Sequence, residues 1–385
     1  TVTVGSGFTI DLGGFNLSNA LNLRGAGISN NGALVNSSSA ATASGSVTIE
    51  AATSIGGSGA IIMSNAISAS THTVSFVNGA AVTAENTSNN IASVTITNSA
   101  LILKTTAALT VNASSLSGTT TLQTVSAGRD ITVSGAISNN TNGNTLTLMA
   151  SRDVLVSAAI AGSSGKSLTT NFYSDVDNTG GGGFKTTTST STVSTFGGDI
   201  TIRGGTTDTT TGCAAAFSCT AGFASHANGT NNIGAYLLSA LNAAGGNISI
   251  HGRGNPVDTN NGEGIRIDIT GTALNTSGTG TITLEGVSTA VGHGIYIVKG
   301  NLIAGSGLIS MTGNARSTSA NSGVVISAGA ITSSGALTIS GTGGSGQYGV
   351  WLEGAGDIVV AGNITINGQN ASRNWGVSIE GSKVV

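Results

Sequence analysis

A chain of 385 residues with 60 glycines, one proline, 8 % charged residues, 4 % aromatics and a net charge of -3 is far from the average composition of a mixed globular protein. Its 38 % of hydrophobic residues exclude the low-hydrophobicity, high-charge profile of a disordered chain, and the lack of a three-residue glycine period with abundant proline excludes collagen. Thirteen basic residues against sixteen acidic ones give no electrostatic footprint for nucleic acid, and no apolar run is long enough for a transmembrane helix.

The chain opens in mid-pattern with "TVTVGSGFTIDLGG", without an initiator Met or a signal-like h-region, and ends in mid-pattern at Val385. It therefore reads as a piece of a longer protein. Short segments of alternating apolar and small polar residues follow one another along its whole length, bounded by Gly, Asn and Ser, which predicts short strands and turns. Loose units begin at "GSVTIEAATSIGGSGAIIMSNAIS" from Gly45, and "SAGRDITVSGAIS" from Ser126 is echoed by "MASRDVLVSAAIA" from Met149.

Two stretches break the pattern. In "NFYSDVDNTGGGGFKTTTSTSTVS" from Asn171, Asp175 and Asp177 form the only close acidic pair, either solvated loop residues or a weak calcium site. Between "GGDITIRG" at Gly197 and "GAYLLS" at Gly234 lie about 29 residues where later coils use roughly ten. This excess predicts a surface loop, functional or merely tolerated. It holds both cysteines, Cys213 and Cys219, whose spacing suits a local disulfide in an exported protein; zinc would need two more ligands, and only His226 is near.

From Gly234 a glycine-led strand recurs as "GAYLLS", "GIRIDI", "GIYIVK", "GVVISA", "GVWLEG" and "GVSIEG" at Gly234, Gly264, Gly294, Gly323, Gly349 and Gly376, with spacings of 30, 30, 29, 26 and 27. A second family runs in phase ("NISIHG", "TITLEG", "LISMTG", "ALTISG", "NITING"), and a weaker third lies between them ("NLIAGSG", "AITSSG", "DIVVAG"). Three strands per repeat, none able to bury its apolar side alone, predict a stacked solenoid. Ile265, Ile295, Val324, Val350 and Val377 would form one inward ladder, and Ile267, Ile297, Ile326, Leu352 and Ile379 another. The fold class is thus all-β, a parallel β-helix with three short strands per coil and coils of about 20 to 30 residues. Glycine suits its corners, where positive φ is often required, and the lone Pro256 is placed in a loop. One elongated domain is expected over 1–385: shorter irregular coils over 1–170, coils with loop excursions over 171–233, the Cys-containing insertion at about 205–233, and regular coils over 234–385.

"GRDITVSGAIS" and "SRDVLVSAAIA", followed by Gly/Ser/Asn-rich turns and "LTL"-type strands, resemble the repeats of filamentous-haemagglutinin-like adhesins of Gram-negative bacteria, exported by the two-partner route. The resemblance is most specific over residues 120–170. It implies a right-handed parallel β-helix, displayed at the bacterial cell surface or released, serving adhesion, aggregation or biofilm. The chain lacks that family's Asn-Pro-containing secretion motifs, and its C-terminal coils are longer than the family's typical repeats.

Enzymatic β-helices that cleave polysaccharides need paired acids around a cleft, whereas here the acids are scattered. No enzyme activity, cofactor or regular metal site is therefore expected, and a carbohydrate-active enzyme stands as the alternative. The four histidines, His72, His226, His251 and His293, are too dispersed in sequence to suggest a metal cluster or a triad. Glu353 and Glu380 should sit on adjacent coils facing outward, with Asp268 further along their column. The clearest functional pointer is aromatic. Alternation directs Tyr236, Tyr296 and Trp351 outward, and Tyr348 and Trp375 extend the cluster. Such a strip could stack on sugars, contact another rod, or lie beneath an overlying loop. The expected partners are cell-surface glycans, other cells or further copies of the chain itself.

Overall fold

The computed structural model describes residues 1–385 except 80, 178, 180, 206–231, 256–261, 289–290, 316–320, 346, 355, 371–374 and 382–383. Apart from a single 3-10 turn at Ile28–Asn30, its regular elements are strands, and each pairs in parallel with a strand about one coil further along the chain. The cause is the period-two pattern seen in the sequence: in strand after strand, buried apolar residues alternate with partly exposed polar ones. The fold is a parallel β-helix. No described helix is long and apolar enough to cross a membrane.

Contacts divide the chain into two units, Thr1–Ser151 with Ala161–Leu168, and Arg152–Ile160 with Thr169–Val385. In the first unit Val2, Leu21, Val47 and Ile67 stack in register, so successive coils advance by 19, 26 and 20 residues. The shorter steps leave little chain for corners, and buried asparagines hold them. Asn36 donates from Nδ2 to the carbonyls of Ser39 (2.7 Å) and Ala60 (2.8 Å) and accepts the Gly14 N–H on Oδ1. Asn89 does the same at a later corner, donating to the carbonyls of Ala84 and Lys104 and accepting the Ile67 N–H. A side chain that mimics a peptide group thus satisfies backbone that would otherwise be buried without partners.

In the second unit all three predicted strand families are in register. Phe184, Ala235, Ile265, Ile295, Val324, Val350 and Val377 form the first ladder. Ile200, Ile248, Ile282, Ile309, Leu337 and Ile364 form the second, and Val193, Leu241, Leu274, Leu302, Ile331 and Ile358 the third. These ladders are fully buried except in the last coil, where Val377 is 40 % exposed.

The glycines that lead the first-family strands serve a different purpose from the positive φ expected at corners. At Gly286, Gly313 and Gly341 an added Cβ would collide with the carbonyls of Gly294, Gly323 and Gly349. Two glycine columns cross there backbone to backbone, and close approach dictates the residue. Positive φ is found instead at other glycines, such as Gly300 and Gly329, and at a few non-glycine residues such as Asn78 and Ala244. Pro256 lies outside the described residues.

Candidate functional site

The outward positions of the first-family strands form one column, Lys185, Tyr236, Arg266, Tyr296, Val325, Trp351 and Ser378, each on the next coil. Cations and rings interleave at its start. The Lys185 ammonium lies 5.2 Å from the Tyr236 ring centre, and the Arg266 guanidinium lies 5.7 Å from Tyr236 and 5.3 Å from Tyr296. Burial pushes the Tyr236 phenol above its ordinary range, against the opposing pull of Arg266.

Beside this column, at the position before each leading glycine, Glu263 is buried and meets Arg266 at 3.4 Å from Oε1. Burial raises its carboxyl pKa, only partly countered by Arg266. On the following coil, His293 Nδ1 accepts the Ser322 N–H at 3.0 Å, and its ring stands edge-on to Tyr296. Desolvation lowers its pKa to about 4, so the imidazole is neutral at pH 7.

The aromatic strip is interrupted. Val325, in the same column, is only 1 % exposed, so the strip divides into two groups. Tyr236 and Tyr296 belong to the cationic group; Tyr348, Trp351 and Trp375 form the other. There Tyr348 lies 5.6 Å from Trp351 and stacks on Trp375, also at 5.6 Å with 14° between the planes. Trp375 is 57 % exposed, whereas the Trp351 Nε1–H is buried without a hydrogen-bond partner among the described residues.

Two residues further along the same strands, the outward face becomes a groove of about 450 Å³. Six threonine and serine residues line it, including Thr187, Thr188, Thr270 and Thr272, together with Asp268 and Lys299. Asp268 is paired with Lys299 at 3.2 Å, because a bulge shifts the register after Ile267 and opposes the two. The groove went unseen in the sequence because it depends on that bulge. Glu353 and Glu380 do lie on adjacent coils, and each accepts a serine hydroxyl, from Ser327 and Ser378.

The second family's outward face carries a cluster that sequence spacing concealed. Ser249 Oγ and His251 Nε2 are 3.2 Å apart, His251 Nδ1 is 3.1 Å from Glu285 Oε2, and Arg203 Nη2 donates to Ser249 Oγ at 3.3 Å. Read linearly, His251 has no acid beside it. The signal was available in the repeat, since the "NISIHG" and "TITLEG" strands, aligned in phase, place Glu285 beside His251.

Asp175 is wholly buried, and its Oδ1 accepts the N–H groups of Thr179 (3.0 Å) and Gly181 (3.3 Å), with the Thr179 hydroxyl shared between Asp175 and Asp177. One oxygen of the candidate calcium pair is therefore engaged in closing its own turn. Among the described residues no three His, Cys, Asp or Glu side chains are grouped to hold a metal ion. Cys213, Cys219 and His226 lie outside the described residues. Comparison of the chain with protein-family models, with curated proteins and with solved structures finds no match.

Proposed function

We propose that this β-helix is a structural and adhesive extracellular protein of bacterial surfaces, and that the outward face of its first-family strands binds glycans. The observation that carries the reading is the run of Tyr236 and Tyr296, interleaved with Lys185 and Arg266, beside a groove lined by hydroxyls, Asp268 and Lys299. Flat rings stack on the apolar faces of sugars, and fixed hydroxyl and carboxylate groups read their hydroxyls. Coils repeat at about 4.8 Å, close to the length of one sugar residue, so a chain of sugars can meet equivalent positions on successive coils. The likeness of Gly128–Ser138 and Ser151–Ala161 to repeats of filamentous-haemagglutinin-like adhesins supports the same assignment.

A glycan array probed with the chain, followed by titration calorimetry on the best ligand, tests it. Tyr236→Ala should weaken binding about tenfold, the equivalent of ~1.4 kcal/mol, and Trp351→Ala tests whether the second aromatic group shares the ligand. Absence of glycan binding by the unmodified chain, with filaments seen in the electron microscope, would replace glycan recognition with self-assembly.

A further inference from the structure

The polarity of the Arg203, Ser249, His251 and Glu285 contacts is fixed by what each group can donate. Arginine has only donors, so Ser249 Oγ is the acceptor of the 3.3 Å bond from Arg203. The serine O–H is then free to point at His251 Nε2, 3.2 Å away. The Glu285 carboxylate, 3.1 Å from Nδ1 though outside hydrogen-bond geometry, favours the imidazole proton on Nδ1, which leaves Nε2 to accept the Ser249 O–H. The imidazole beside it, and the Arg203 charge, hold the Glu285 carboxyl below its ordinary range. His293 offers a contrast: its Nδ1 accepts a backbone N–H, which puts its proton on Nε2.

The fold builds this order from two simple periodicities. Ser249 and His251 alternate onto the same face of strand Ile248–Arg253, and the coil-to-coil register sets His251 opposite Glu285. The imidazole side chain is 8 % exposed, which holds its ring orientation, while Ser249 is partly open. In register on either side of Ser249 are Thr201 and Thr283, both short polar side chains.

We propose that Ser249 is a nucleophile for acyl transfer from small acyl esters of alcohols, with His251 as general base and Glu285 as positioning residue. Ser249 Oγ forms the bond to the ester carbonyl carbon as its proton passes to His251 Nε2. The carbonyl oxygen takes the negative charge beside the Arg203 guanidinium. As the carbonyl re-forms, the bond to the alcohol oxygen breaks, and that oxygen takes the proton from Nε2. Water then attacks the acyl-serine, its proton passing through His251 to Ser249 Oγ, and the carboxylic acid leaves. The inference uses none of the residues assigned to glycan binding and stands or falls separately.

The full chain is incubated with an alkyl fluorophosphonate and digested for peptide mass spectrometry, and its hydrolysis of p-nitrophenyl acetate is followed. A single adduct on Ser249 is expected, absent in Ser249→Ala and formed about a hundredfold more slowly in His251→Gln. Glu285→Gln should lower kcat for the ester with KM unchanged, a split that loss of structure would not produce. An unmodified Ser249 in the wild-type chain would overturn the proposal without recourse to any variant. Labelling of folded His251→Gln at the wild-type rate would overturn it equally.

Discussion

Replacing Gly313 by alanine tests whether the glycine columns are held by close approach. A Cβ on Gly313 would lie 2.7 Å from Val324 Cγ2 and inside contact distance of the Gly323 carbonyl. That carbonyl has little freedom to retreat, since its oxygen accepts the Ile295 N–H at 2.9 Å, one of the bonds joining coil to coil. Overpacking of this kind costs about 1–3 kcal/mol, and loss of the bond adds about 1 kcal/mol. The narrower unfolded ensemble of alanine returns only about 0.4–1 kcal/mol, which leaves a net destabilisation of about 1–3.5 kcal/mol. Gly5→Ala is the control. Its nearest neighbour, Phe8, would be 3.7 Å from the new methyl, an ordinary contact, and its φ is not left-handed. The same substitution there should be neutral or slightly stabilising. Urea unfolding, compared by midpoint at constant slope, reads both. A Gly313→Ala protein that unfolds at the wild-type midpoint would show that the corner relaxes freely and would refute the reasoning.

Ile295→Ala, in the middle of the first ladder between Ile265 and Val324, should cost about 2–5 kcal/mol in thermal unfolding, whereas Val377→Ala in the same ladder should cost less than half as much because its side chain is 40 % exposed. His293 should make stability depend on pH. Its folded pKa is lowered to about 4 from 6.5, so the unfolded chain binds the extra proton between those values and stability rises with pH across that window. The contribution, about 3 kcal/mol, is complete above pH 6.5 and gone below about pH 4. In His293→Gln the melting temperature should lose that rise, and parallel profiles for the two proteins would show that His293 is not the titrating group.

What the sequence made legible follows from what repeats. The ladders of the second unit could be written down from spacing alone because each first-family strand is led by glycine and alternates strictly, so a register error would have turned Ile295 or Val324 outward. The column position of Tyr236, Tyr296 and Trp351 came from the same rule. Their surroundings did not, because exposure depends on what crosses the face: Val325 shares their column and is buried. The first unit was harder to read since its coils advance by unequal steps, and its corners rest on single asparagines such as Asn36 and Asn89 that look like ordinary turn residues in a chain rich in them.

The Ser249 cluster shows how a repeat can both hide and reveal a site. A search along the chain asks what stands near His251, and finds Ser249 two residues away and no acid beside it. In a solenoid the relevant neighbours are one coil back and one coil ahead, 48 and 34 residues distant, where Arg203 and Glu285 stand. Other coils at the same level carry Thr312, Ser340 and Asn367 opposite one another, polar and uncharged. The repeat fixes the backbone and leaves outward identity free. A run of charge-bearing residues at one level of one face, where neighbouring coils have only hydroxyls and amides, is therefore a local departure that the fold does not require, and its chemistry has to be sought in what those side chains do to one another.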